Sequence, residues 1–224
     1  MRAKAGGMNT LIVTDCATQG LTPSASCQAI EVACVLFDVA SATVIESFSS
    51  LIRAETNPCE SIHRISVGSL VKAPHPDYVW QRVTDMVTSA GNDAAYVAHR
   101  AAFDRGFYPA PLAARLPWID SKQDVNWPLS KPGASCVEMA LAHGVPVVSA
   151  HRALTDTMLI VRTLERVVEL GHDLPAMLAA AMAPRSTFVV ADPTFDAARN
   201  ELAKAAGFAF DRPTRTWSRR MTKE

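Results

Sequence analysis

The chain has 224 residues and 49% hydrophobic content, which is enough to bury the core of one ordinary domain with a modest appendage and excludes disorder as the dominant state. Its five cysteines form no Cys-x-x-Cys pair, its start lacks a signal-peptide core, and no apolar run reaches the roughly 18 residues of a membrane span, so we expect a cytoplasmic protein without a zinc knuckle or a membrane partner. The net charge is zero, but residues 185–224 hold eight Lys and Arg against five Asp and Glu; this basic tail behind an acidic body suits an enzyme that binds metal in one part and a polyanion in another, and a solvated terminal helix with random charge is the alternative.

The N-terminal third has the pattern of a three-stranded antiparallel meander. Residues 1–8 show no apolar periodicity and are interpreted as a flexible leader or a remnant of cloning. Apolar runs at 11–13, 29–37 and 43–52 predict strands, and glycine and proline predict a turn at 20–23. Short connections of this kind join antiparallel neighbours.

The middle of the chain alternates between helix and strand patterns. Helical spacing is found in four segments, which lie at 78–90, from Ala101 onward, around 136–143 and at 155–170. A short buried strand is predicted at 96–98, and 117–133, with three prolines and two tryptophans, is predicted to be an irregular loop. Together with the meander, this order predicts a mixed α/β sheet with flanking helices in a domain of residues 9–183.

A second, smaller unit is predicted from Pro184 to the end of the chain. A strand is expected at 187–191 and a helix at 195–206, with Gly207 as its C-cap. Residues 208–210 and 216–218 flank a turn containing Pro213 and are expected to form a hairpin. We therefore predict a basic strand–helix–hairpin module at 184–224.

Three acids stand where a predicted strand ends or a predicted helix begins. Asp15 ends the first strand, Asp104 lies in the first turns of the helix after 96–98, and Asp156 begins the longest helix, with His151 just before it. Individually, a turn cap, a helix-start acid favoured by the helix dipole and a solvated loop histidine explain them equally well. As an ordered set they form a candidate site that includes Ala17, which shares a strand face with Asp15.

In order and spacing this set resembles the DEDDh exonucleases, the DnaQ-like family of the proofreading epsilon subunit of bacterial DNA polymerase III. The family's Asp-x-Glu-Thr-Thr-Gly-Leu corresponds to Asp15-Cys16-Ala17-Thr18-Gln19-Gly20-Leu21, its His-Asn-x-x-Phe-Asp to residues 99–104, and its His-x-x-x-x-Asp to residues 151–156. Ile62-His63-Arg64-Ile65 stands where the family has an Ile-Asn/Thr-Gly-Ile turn. The resemblance covers about residues 9–175 and implies a ribonuclease H-like fold.

The resemblance also implies a chemistry and a set of roles. Two Mg²⁺ or Mn²⁺ ions would be bridged by Asp15, with Asp156 completing the first site and Asp104 supporting the second. His151 would accept the proton of the attacking water, since an imidazole titrates near neutral pH. Hard divalent cations prefer oxygen ligands, which is why the set consists of carboxylates.

The residues that bind substrate are implied with alternatives left open. Thr18, Gly20 and Leu21 lie where the family packs on the terminal nucleotide, and His99 belongs to the second motif. Phe103 is expected to fill the core or to touch the nucleotide, and Arg152 to reach a phosphate or to lie exposed. In the tail, the set Arg212, Arg215, Arg219, Arg220 and Lys223 surrounds Trp217. These residues would hold a single strand by phosphate contacts and base stacking, unless Trp217 packs the core of its own module.

Two residues depart from the family pattern. Arg100 replaces the usual Asn, which alters a hydrogen bond of the second motif or adds a phosphate contact. Ala17 replaces one of the four metal-binding carboxylates, and Glu31 is the candidate substitute, although family members carry a Glu in this strand as well as the first-motif Glu. The intact remainder of the site favours a designed inactivating substitution over a natural loss.

The sequence therefore predicts a metal-dependent 3′→5′ exonuclease acting on single-stranded DNA or a DNA 3′ end, impaired by Ala17. The alternatives are a non-catalytic protein that binds single-stranded nucleic acid and an RNA-trimming enzyme of the same fold, because nothing in the sequence reports on recognition of the 2′-hydroxyl. A polymerase partner is compatible with the family resemblance.

Overall fold

The structure is a computed structural model that describes residues 8–191, 196–211 and 215–222. Residues 1–7 of the predicted leader and the turn around Pro213 lie outside the described residues, as do Arg212 and Lys223 of the basic set. Within the described ranges, no helix combines the length and the apolar character that crossing a membrane requires.

The main sheet has five strands in the order β3-β2-β1-β4-β5. Their bounds are β1 Thr10–Thr18, β2 Ala29–Asp38, β3 Thr43–Leu51, β4 Ala94–Ala98 and β5 Trp118–Asp120. The first three are antiparallel neighbours, as the meander prediction required, and β4 joins β1 in parallel. The mixed sheet with flanking helices predicted from the sequence is confirmed.

The first strand is longer than the sequence indicated. The apolar run predicted a strand at 11–13 that ends at Asp15, but β1 continues to Thr18. It does so because its later residues pair with β2, Asp15 opposite Ala33 and Ala17 opposite Glu31, before the register shifts between Ala17 and Thr18. Asp15 is thus held inside a paired strand and does not end it.

The segment 117–133 is not wholly irregular, which corrects the sequence prediction. Residues 118–120 form the edge strand β5, parallel to β4, with Trp118 opposite Tyr96 and Ala98 opposite Asp120. The rings of Trp118 and Tyr96 stack with centroids 4.3 Å apart. Non-local pairing and ring stacking therefore build a strand that is too short to show a period of its own.

Helices cover both faces of the sheet. They are α1 Glu60–His63, α2 Val67–Leu70, α3 Pro76–Ala90, α4 Ala101–Phe107, α5 Ala110–Ala113, α6 Cys136–Ala142, α7 Ala153–Glu169 and α8 Leu174–Met182. The apolar stripe of α3 packs with Ile12 and Val32 on one face, whereas α7 and α8 pack with Leu11 and Val13 on the other. Alternate residues of β1 thus serve two cores, and each fully buried aliphatic side chain contributes roughly 1.5–3 kcal/mol.

The end of the chain forms a second sheet of three antiparallel strands in the order β6-β8-β7, with one helix among the described residues. The elements are β6 Arg185–Ala191, α9 Ala197–Ala205, β7 Ala209–Asp211 and β8 Thr216–Thr222. Asp196 caps α9, and Gly207, with φ of 77°, follows the terminal residue Ala206. A side chain at Gly207 would begin 3.2 Å from Pro132, so this end of the chain approaches the loop after β5. The division at Pro184 stays a prediction.

Candidate active site

A cavity of about 240 Å³ opens beside the end of β1 and collects most of the predicted site residues. Its lining consists of Asp15, Cys16, Ala17, Thr18, Gly20, Leu21, Cys59, Ile62, His63, Phe103, His151 and Asp156. A strand, the turn after it and two helix starts therefore converge, as the motif order suggested. Of the predicted residues, Asp104, His99, Arg152 and Trp217 are not part of the lining.

A larger groove of about 570 Å³ lies elsewhere, along the outer face of α7. Its charged side chains pair with one another, Arg162 with Glu165 and Arg166 with Glu169. The smaller cavity is lined by two acids and a histidine, and this chemistry makes it the candidate site despite its size.

The three acids are held at different depths. Asp15 lines the cavity from β1, and Asp156 faces it from the first turn of α7. Asp104 is 1% exposed in the first turn of α4, where its Oδ1 accepts the Cys16 N–H at 3.0 Å. This bond ties α4 to β1 and brings the Asp104 carboxyl up to the residue next to Asp15.

The acids crowd negative charge into a poorly solvated space. Burial raises the pKa of Asp15 well above its usual value, and the charges of Asp104, Asp156 and Glu31 raise it further. Burial raises the pKa of Asp104 to about 8 against the opposing effect of the Cys16 N–H. Burial also raises the pKa of Asp156, which the N–H of His151 partly offsets. A bound cation would relieve this repulsion.

His151 stands exposed at the start of α7. Its φ is 67°, a left-handed conformation that is costly for a non-glycine residue, and its N–H donates to Asp156 Oδ2 at 3.1 Å. The prediction that His151 precedes the helix while Asp156 lies within it is confirmed, and both residues line the same cavity.

Position 17 carries a methyl group where the cavity meets a small apolar cluster. Ala17 packs with Ile30, Ile65 and Leu70 and is 9% exposed. It lies opposite Glu31 of β2, but the Glu31 carboxylate, 4% exposed, is engaged elsewhere. Arg152 Nη2 donates to its Oε1 at 2.6 Å, and the Ala153 N–H donates to its Oε2 at 2.9 Å. Glu31 is therefore not free to replace the missing ligand.

Three predicted substrate contacts have other partners in the structure. His99 bonds Ser121 Oγ through Nδ1 and the Ala134 carbonyl through Nε2, each at 3.0 Å. The Arg152 guanidinium lies on Glu31 and not in the cavity. Trp217 is 6% exposed and packs on Phe210 at 5.1 Å, so it fills its own sheet's core and presents no face for a base.

Phe103 and Arg100 combine a structural contact with proximity to the cleft. Phe103 is half-buried, lies 5.0 Å from the Phe107 ring and also lines the cavity, so both of its predicted roles are compatible with its position. Arg100 places its guanidinium carbon 6.0 Å from the Phe103 ring centre. Its own N–H donates to Asp120 Oδ1 at 3.2 Å, which attaches the second motif to β5.

His63 is a cleft residue that the sequence did not single out. It is 5% exposed, its Nδ1 accepts the Ile65 N–H at 3.4 Å, and its Nε2 has no hydrogen-bond partner of normal geometry among the described residues. Burial lowers its pKa, and the Thr18 main chain opposes this only in part. The neutral ring thus offers an N–H donor at the cavity. The available signal was its place within the Ile62–Ile65 turn.

No three His, Cys, Asp or Glu side chains form a ready-made metal site in the parts of the chain that the structure describes. Two causes are visible. Position 17 supplies no ligand atom, and one Asp104 oxygen is bonded to the Cys16 N–H.

Comparisons with known proteins place this geometry in a structural class. No family model matches the chain, and no curated protein matches it. Exonuclease X in complex with 5′ overhanging duplex DNA is 24% identical with a TM-score of 0.53, over 76% of this chain and 99% of that one. The nuclease domain of 3′hExo, a DEDDh family member bound to rAMP, is 18% identical with a TM-score of 0.57, over 76% and 96%.

Exonuclease I of E. coli in complex with a dA16 oligonucleotide is 17% identical with a TM-score of 0.58, over 85% of this chain. The chain spans only half the length of that exonuclease. At these identities the likeness shows the fold, a ribonuclease H-like sheet with flanking helices shared with 3′-exonucleases of the DEDDh type.

Proposed function

We propose that this chain, which has the fold of DEDDh-type 3′-exonucleases, is a metal-dependent 3′→5′ exonuclease of DNA that is weakened by Ala17. The observation that carries the proposal is the meeting of Asp15, Asp156 and His151 at one cavity, with Asp104 packed beside them. Structural neighbours that contain DNA support the substrate class.

The acids suit divalent cations in chemistry and in charge. Carboxylate oxygens are the ligands that Mg²⁺ and Mn²⁺ prefer, and the raised pKa of Asp15 reflects uncompensated negative charge from its neighbours. Asp15 would bridge two ions, Asp156 would complete the first site and Asp104 would support the second. When bound, such a pair stabilises the attacking and leaving oxygens of a phosphodiester.

The remaining cleft residues would orient the reactants. His151, exposed at the mouth of the cavity and joined to Asp156 through its N–H, is placed to accept the proton of the attacking water. Leu21, 78% exposed, and the Thr18–Gly20 turn offer a surface for the terminal nucleotide. Since Ala17 offers no oxygen beside Asp15, one ligand position would fall to water.

Strand polarity provides the direct test. We expect the Ala17→Glu variant to shorten 5′-labelled single-stranded DNA stepwise from its 3′ end with Mg²⁺ or Mn²⁺, and the unaltered chain to do so slowly. A matched oligonucleotide with phosphorothioate links at its 3′ end is the control and should resist. Shortening from the 5′ end, or internal cleavage of the protected substrate, would exclude the proposed polarity.

A non-catalytic protein that binds single-stranded nucleic acid is the second candidate. The methyl group of Ala17 and the lack of a three-ligand group among the described residues favour it. Binding of labelled DNA with no cleavage, even after Ala17→Glu, would support it. RNA is compared in the same assay with an oligonucleotide of identical sequence, because one neighbour is bound to rAMP. A polymerase partner stays a prediction.

A further inference from the structure

Glu31 is a buried acid outside the three motifs, and its surroundings are unusual. It lies in β2 directly opposite Ala17 and is 4% exposed, yet it belongs to no apolar cluster. A carboxylate at this depth is tolerated only when its charge and lone pairs are satisfied. The donors that satisfy it come from one place, the start of α7.

The partners form a two-sided clamp. Arg152 donates from Nε to Oε1 and Oε2 at 3.2 and 3.0 Å and from Nη2 to Oε1 at 2.6 Å. The Ala153 N–H donates to Oε2 at 2.9 Å. A guanidinium contact of this kind fixes direction as well as distance, because the donors of arginine form a rigid fork.

The second half of the clamp replaces a missing helix cap. The residue at the N-cap position of α7, Arg152, makes no capping bond with its own side chain. Glu31 supplies the acceptor from a distant strand, and its charge suits the positive end of the helix dipole. The first turn of α7 is thereby attached to the sheet beside β1.

Two cleft residues sit within this attached turn. His151 lies immediately before Arg152, and its N–H closes onto Asp156 Oδ2 at 3.1 Å. The left-handed conformation of His151 must be held by its surroundings, because a non-glycine residue gains nothing from it alone. Holding residues 152 and 153 against Glu31 therefore sets where His151 and Asp156 stand relative to Asp15.

We propose that Glu31 is a positioning residue, which through Arg152 and the Ala153 N–H holds His151 and Asp156 in register with Asp15. The inference rests on the proposed function, and it assigns to Glu31 no contact with metal or substrate. It also accounts for Arg152 being turned from the cavity, since its fork is committed to β2.

The first measurement needs no activity and uses the unaltered chain. In Glu31→Gln, the amide remains an acceptor but the charged fork contact is lost, and in Glu31→Ala both are lost. We expect hydrogen exchange of the Ala153 amide to be at least about 10-fold faster in Glu31→Ala, with Glu31→Gln between it and the parent. Equal exchange in all three proteins would overturn the inference.

The second measurement uses the Ala17→Glu protein on 3′-labelled single-stranded DNA. We expect Glu31→Gln and, separately, Arg152→Gln to lower kcat by about 10–100-fold, the range for a displaced catalytic geometry, with KM changed less than about 3-fold. Arg152 is exposed enough to be replaced without unfolding, so it tests the idea even if Glu31 variants fold poorly. Glu165→Gln, which breaks the Arg162–Glu165 pair on the outer face of α7, is the matched control and should leave kcat unchanged.

The outcomes separate the two proposals. An Ala17→Glu parent without cleavage removes the proposed function and the role of Glu31 with it. An active parent whose kcat survives Arg152→Gln and Glu31→Gln overturns the positioning role alone. A rise in KM at constant kcat would also overturn it, because Glu31 or Arg152 would then act in binding.

Discussion

Restoring a carboxylate at position 17 should change cleavage and stability in opposite directions unless metal is present. A glutamate there would lie on the face of β1 that carries Asp15, about 6.7 Å away along the strand. Two charges at that separation repel by about 2.5 kcal/mol at an effective dielectric constant of about 20. Because Asp15 already has a raised pKa, the metal-free Ala17→Glu protein should melt lower, by about 5 °C.

Divalent cations should reverse this loss. With the added ligand, Mg²⁺ or Mn²⁺ binds the folded state and raises its melting temperature, whereas the unaltered chain responds less. Cleavage of 3′-labelled DNA should increase at least about 100-fold, which corresponds to about 2.7 kcal/mol of transition-state stabilisation. Ala17→Gln is the matched control, because it fills the same space without the charge and should recover little.

Time courses with both metals, run beside melting curves with and without metal, decide the matter. Equal cleavage by the unaltered chain and the Ala17→Glu variant would refute the reasoning, because another group would then supply the ligand. Cleavage by neither would give the lead to the non-catalytic binding protein. An Ala17→Gln variant as active as Ala17→Glu would show that filling the cavity matters and the charge does not.

Three further predictions follow from the described contacts. In the Ala17→Glu background, His151→Ala should lower kcat about 10²–10⁴-fold while calorimetric Mn²⁺ binding persists, and loss of that binding would make His151 a ligand. Truncation after Pro184 should weaken single-strand binding and flatten its salt dependence while cleavage of a saturating short oligonucleotide is kept, and an unchanged slope would refute the role of the tail. Burial lowers the pKa of His99 from 6.5 to about 4, so folding stability is fully present above pH 6.5 and falls by about 3 kcal/mol as the pH drops to 4; His99→Gln should flatten this part of the melting profile, and an unchanged profile would refute it.

Periodic segments of the chain revealed their structure before any coordinates. The stripe of α3, formed by Val79, Val83, Met86 and Val87, is buried as its helical spacing predicted. The cleft acids were found for a related reason, because motif order fixes which strand and helix starts carry them. Such information is local and repeats along the sequence.

Features that depend on distant partners were not predictable in this way. Strand β5 has three residues and exists through pairing with β4, and the Ala- and Leu-rich α8 was not predicted. The Arg152 side chain was assigned to a phosphate because its partner, Glu31, lies far away in sequence. The direction in which Trp217 points depends on Phe210, which the aromatic-basic pattern did not reveal.

The central place of β1 has a consequence for the synthesis of the protein. Its partner β2 follows it directly, so the meander can form from near neighbours as soon as it leaves the ribosome. Helix α7, which brings His151 and Asp156, appears much later, after roughly ten seconds of translation at typical rates. The nascent chain therefore carries Asp15 on a formed strand well before the cleft around it can close.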